Sequence, residues 1–137
     1  MNYQRLTSLI VLGFIFCFSA YAQSTPSTSD SLTAFTGKWV GTFEGASSGQ
    51  CEMVLSLADT GKIGGVLTAI PGDGNRYQAN FKSVTVQGNQ LKAAYDDPGD
   101  GDEVSMMATR NGSQLKGTWQ AGGGAATGTW TMARQTK

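Results

Sequence analysis

The sequence predicts an all-β fold, an eight-stranded antiparallel up-and-down β-barrel that follows a cleaved signal peptide. Three observations predict it. Short runs in which apolar and polar residues alternate recur roughly every dozen residues from Leu32 onward, the period-two pattern of half-buried strands. The links between them are short and rich in Gly, Asn and Asp, and none could hold the crossover that parallel strands need. No window sustains a helical apolar period, so Leu32 to Phe35 is at most one helical turn. Consecutive antiparallel strands form a meander with two adhesive edges, and closing the meander into a ring removes both. A two-sheet sandwich is the alternative.

The strands follow in order as residues 38–44, 50–57, 62–70, 76–87, 90–96, 103–110, 114–120 and 126–134. Alternation assigns an inward face to Trp39 and Phe43, to Met53, Leu55 and Leu57, and to Tyr77 and Phe81. The same rule turns Leu91, Tyr95, Val104, Met106, Leu115, Trp119, Trp130 and Met132 inward. The third strand is apolar on both parities, through Ile63 and Leu67 on one and Val66 and Ile70 on the other, so its inner face stays open. In the long fourth strand the apolar parity changes between Phe81 and Val84, which predicts a bulge near Lys82-Ser83. Asn111-Gly112 is the strongest two-residue hairpin signal, because both residues tolerate positive φ. Gly88-Asn89, Asp59-Thr60-Gly61 and Gly122-Gly123-Gly124 also suit tight reversals.

The length of 137 residues fits one domain. Ten basic residues balance ten acidic ones, so no net field draws the chain to nucleic acid or anionic lipid. The absence of His excludes the Ser-His-Asp triad and His-ligated zinc or haem. Residues 1–22 read as a secretory signal peptide. Arg5 gives the positive start, Leu9 to Phe18 the short apolar run, and Ala20-Tyr21-Ala22 the cleavage site, so the mature chain is expected to begin at Gln23. A secreted or periplasmic location follows, with no membrane attachment after cleavage. Residues 23–31 are a polar Ser/Thr/Pro stretch expected to be a flexible tether, and residues 32–137 form the barrel domain. Cleavage removes Cys17, leaving Cys51 without an intramolecular partner on the apolar face of its strand.

Four strings put Gly two positions before a large ring: Gly37-Lys38-Trp39, Gly41-Thr42-Phe43, Gly117-Thr118-Trp119 and Gly128-Thr129-Trp130. Gly clears room for a neighbouring ring and lets a strand coil tightly. A short turn followed by Gly37-Lys38-Trp39 resembles the start of lipocalins and their calycin relatives. That resemblance implies that Trp39 closes one barrel end and that Arg134, at the end of the last strand, lies across it as a cation–π partner. Gly37, Trp39 and Arg134 are the structural residues of this reading. In length the chain is nearer an avidin subunit, although it lacks the many pocket aromatics of avidins. It also resembles the small secreted inhibitors of bacterial metalloproteases, eight-stranded calycin barrels with a Gly-x-Trp strand followed by a strand containing Cys. Those inhibitors close a disulfide, for which this mature chain lacks a second Cys.

Catalytic patterns are sparse. Ser113-Gln114-Leu115-Lys116 matches a Ser-x-x-Lys string, but it straddles a hairpin and a strand rather than a helix. Glu44, Glu52 and Glu103 offer carboxylates that no spacing brings into a pair. Asp96 to Glu103 holds five carboxylates in eight residues. Its oxygens are of the type calcium takes, but the spacing lacks a calcium-loop pattern, and a solvated loop is the simpler reading. No phosphate-cradling glycine loop is present. The expectation is a binding module without catalytic residues, cofactor or metal. It would take a small apolar ligand at the barrel mouth, against walls from Phe43, Tyr77, Phe81, Tyr95, Trp119 and Trp130. The alternative is a secreted protein-binding barrel, similar to the protease inhibitors, that acts on a protein target through its loops and N-terminal tether.

Overall fold

The computed structural model describes residues 28–136. The signal segment, its cleavage site and the first part of the tether lie outside the described residues. Helix α1 (Thr28–Phe35) leads into β1 (Gly37–Gly45), β2 (Gly49–Leu57), β3 (Ile63–Pro71) and β4 (Tyr77–Asn80). Then come β5 (Ser83–Gln87), β6 (Gln90–Asp96), β7 (Glu103–Asn111), β8 (Gln114–Ala121) and β9 (Ala126–Arg134), with a 3₁₀ turn at Gly122–Gly124. The helix is two turns rather than one, so the last residues assigned to the tether by composition are helical.

All neighbouring strands are antiparallel, and the sheet runs β4-β3-β2-β1-β9-β8-β7-β6-β5. First and last strands are joined: Trp39 stands opposite Arg134 and Phe43 opposite Trp130. The two edges of this ladder, β4 and β5, are consecutive in the chain, so the sheet curls back on itself and covalent continuity completes the barrel. The Phe81 N–H donates to Gly65 O at 3.0 Å on one side, and the next N–H, of Lys82, donates to Ala94 O at 2.8 Å on the other. Side chains close the seam. The Phe81 ring meets the Tyr95 ring edge-on at 6.1 Å, and Lys82 Nζ binds Asp96 at 2.9 Å and Glu103 at 2.5 Å.

This seam replaces the expected bulge in a single fourth strand. A bulge changes parity while keeping the same neighbour. Here the chain leaves β3 and joins β6, and the inward set passes from Tyr77, Ala79 and Phe81 to Val84 and Val86. In β3, Leu67 and Ala69 take the inner face. Leu57 is a correction to the inward list. It ends β2 opposite Ile63, past the layer made by Leu55, and is 42% exposed.

One end of the barrel is solid. Phe35, from the last turn of α1, is fully buried with Trp39, Met53, Leu55, Leu91, Leu115 and Met132. Trp39 Nε1 donates to Phe35 O at 2.9 Å, which ties the strand to the helix end. The Arg134 guanidinium lies 4.3 Å from the Trp39 ring centroid and donates to the carbonyls of Ala34 and Thr36. A cation there satisfies carbonyls that the helix terminus leaves open and complements its partial negative charge. Gly37 turns the chain at φ +116°, and a Cβ at that position would come within 2.8 Å of Arg134 Nη1.

Candidate functional site

Up-and-down connectivity sends the loops alternately to opposite ends. The connections β1–β2, β3–β4, β6–β7 and β8–β9 all lie at the end away from α1. Among the described residues no plug fills that end. A cavity of about 320 Å³ opens there, near the lower bound of small-molecule pockets at about 300–1,000 Å³.

Its aromatic wall comes from the sequence motif. The strings Gly117-Thr118-Trp119 and Gly128-Thr129-Trp130 lie antiparallel and adjacent, with Gly117 opposite Trp130 and Trp119 opposite Gly128. Each indole thus crosses a neighbour that has no side chain. A Cβ on Gly128 would collide with Glu44 O and the Trp119 ring. Both indole N–H groups are satisfied by backbone, Trp119 Nε1 to Glu44 O at 3.1 Å and Trp130 Nε1 to Thr118 O at 3.0 Å. Phe43 meets Trp119 edge-on at 6.4 Å and 85°. These contacts hold the rings in place.

Opposite stand Tyr77 on β4 and Tyr95 on β6, whose hydroxyls share a hydrogen bond of 3.0 Å across the seam. One hydroxyl donates, so the other keeps its proton available for a further acceptor. Burial pushes the Tyr95 phenol well above its ordinary range, and the bond with Tyr77 adds to the shift. Burial also raises Tyr77. Cys51 Sγ lies in the same lining and is pushed up to about 12 by burial. At neutral pH all three are therefore uncharged hydrogen-bonding groups, and the thiol is a poor nucleophile.

Of the six residues expected to form the wall, the cavity brings together Phe43, Tyr77, Tyr95, Trp119 and Trp130. Phe81 does not line it. Its backbone is bound to Gly65 at the seam, and its ring buttresses Tyr95. Alternation alone could have added Cys51 and Met106 to the site. The mouth residues Asp73, Asp97 and Asp100 could not be reached that way, because loop side chains have no face rule. Asp97 Oδ1 accepts from Gly99 N–H at 2.7 Å, and Asp100 Oδ1 accepts from Asp102 N–H at 2.9 Å. Among the described residues no three carboxylates or thiols come close enough to hold a metal ion. No described helix is long and apolar enough to cross a membrane.

No protein-family model matches the chain, and no curated protein sequence matches it. Solved structures do. The structure of EF1p2_mFAP2b bound to DFHBI is similar at TM-score 0.67 and 18% identity, covering 80% of this chain and 100% of that one. The redesigned β-barrel mFAP1, bound to DFHBI, matches at TM-score 0.66 and 16% identity over 76% and 98% of the two chains. A fluorescence-activating β-barrel designed de novo matches at TM-score 0.60 and 14% identity over 77% and 98%. At these identities the likeness shows the fold, an antiparallel β-barrel.

Proposed function

We propose that the protein is a non-catalytic binding barrel that takes a small, largely apolar molecule in its open end. One observation carries the reading: the barrel is solid at the α1 end and hollow at the other, where five aromatic side chains surround the space. Rings anchored by backbone hydrogen bonds lose little freedom when a ligand enters, which favours binding. Two barrels of similar fold are described as bound to DFHBI, which supports the use of such an interior for a small ligand. Neutral phenols, a protonated thiol and the lack of His argue for binding over turnover. We further propose an extracytoplasmic site of action, supported by Arg5, the apolar run to Phe18 and Ala20-Tyr21-Ala22. N-terminal sequencing of exported protein would then begin at Gln23.

Titration with Nile red, a neutral lipophilic dye, tests the binding reading. The expected result is saturable binding at one site with a change in tryptophan emission. Ala69→Leu, which adds volume to the cavity wall, is expected to weaken it at least about tenfold, or 1.4 kcal/mol. Dye that does not saturate, or that ignores the filling substitution in a protein with an unchanged circular dichroism spectrum, would overturn the proposal and favour action through the loops.

A further inference from the structure

The cavity's charge is as one-sided as its shape. Asp73, Asp97 and Asp100 contribute to its lining, and among the described residues no Lys or Arg does. None of the three is in an ion pair among the described residues; the pairs present are Lys38–Glu52 and Lys82 with Asp96 and Glu103. Counting the mouth connections and the two strand residues on either side of each, Asp102, Glu44, Asp96 and Glu103 bring the carboxylates to seven against the single base Arg76, with Asp96 and Glu103 paired to Lys82. The opposite end holds Lys38, Lys62, Arg110 and Arg134 against Asp30 and Asp59. A chain with no net charge is therefore polarised along the barrel, its acidic pole at the opening. The phenols register this: Asp97 and Asp100 add to the upward shift of Tyr77, after burial, and Asp97 does so for Tyr95.

Aromatic rings carry negative faces that attract cations, and quaternary ammonium groups bind best inside cages of several rings. Walls lined by like-signed charge in a low-dielectric concavity concentrate the field at its opening. Resting on the reading that this cavity is a ligand site, we propose that it selects an amphipathic organic cation. The apolar body lies among Phe43, Trp119 and Trp130, and an ammonium or amidinium head sits at the rim beside Asp97 and Asp100. Both carboxylates are held by backbone N–H groups of their own loop, so they need not reorganise to receive the head. The hydroxyl free to donate in the Tyr77–Tyr95 pair suits an acceptor on the body. Carboxylate-bearing lipids are excluded by the same field.

Three ligands that share a phenylpropyl body test this: phenylpropyl-trimethylammonium, its uncharged tert-butyl carbon isostere, and phenylbutyrate. Calorimetric competition against Nile red on the purified protein is expected to rank cation, neutral and anion in falling affinity, with about tenfold between cation and neutral. High salt should shrink that ratio. The D97N/D100N double variant keeps the Oδ1 acceptors of the loop, and its cation-to-neutral ratio should fall at least about threefold as the carboxylate share of the preference is lost. Equal binding of all three, preference for the anion, or a ratio unchanged in the double variant overturns the cation proposal while leaving the cavity a ligand site. Binding of none of them, together with failure of Nile red, overturns both readings.

Discussion

The two ends of this barrel are built from the same strands and the same residue types, yet one is a core and the other a container. At the α1 end, Phe35 drops into the ring and Trp39 is wholly covered. At the mouth, Trp119 and Phe43 remain half-buried, with none of the described residues seated above them. The difference lies in what the adjoining segment supplies. The helix brings an apolar plug whose terminal carbonyls are satisfied by Arg134. The mouth loops bring Gly, Ser and Asp, which have little to bury. Whether an aromatic ring is sealed into the core or left facing open space is thus decided by its cover.

That contrast can be broken most forcefully at the plug. Trp39→Ala removes a fully buried ring and its bond to Phe35, and is expected to cost about 3–5 kcal/mol in chemical denaturation. Arg134→Met keeps the aliphatic stem but loses the guanidinium over Trp39 and its donations to Ala34 and Thr36. A loss of about 2 kcal/mol is expected, with α1 the first element to lose amide-exchange protection.

A pH series sharpens the comparison at the mouth. The folded protein keeps the Cys51 proton up to about 12, whereas the unfolded thiol releases it near 9.0. Between those values the native state binds more protons than the unfolded chain, so stability is fully present below about 9 and falls as pH rises towards 12. Tyr77 and Tyr95, also raised by burial, act in the same direction. Thermal melting should therefore decline above pH 9, and less steeply in Cys51→Ala. The smallest effect belongs to Trp119→Phe, which keeps a ring and loses the bond to Glu44 O. About 1 kcal/mol or less is expected from denaturant midpoints, with a larger relative change in Nile red affinity.

Much of this was legible along the chain. Alternation placed Met53, Leu55, Leu91, Leu115 and Met132 inside, because parity in a strand is local. The joining of the first and last strands followed from the cost of leaving edges open. The parity change after Phe81 was visible as well, but its form was not. A bulge and a change of neighbour leave the same mark on one strand, and only the positions of β3 and β6 distinguish them. The length of α1 is not legible in the sequence because Thr, Ser and Asp are weak helix formers; packing of Phe35 stabilises what propensity does not. Loop carboxylates such as Asp97 could be counted but not located.

By itself, the amino-acid sequence determined an antiparallel ring with its apolar side inward and a glycine two positions before each indole. These follow from side-chain period and size, which act between near neighbours. Tertiary structure alone decided which end is filled and which is hollow, where the charge collects, and that Phe81 leaves the wall for the seam. Those properties depend on how far strands coil before meeting and on where a helix lands, and no short stretch of chain encodes either distance.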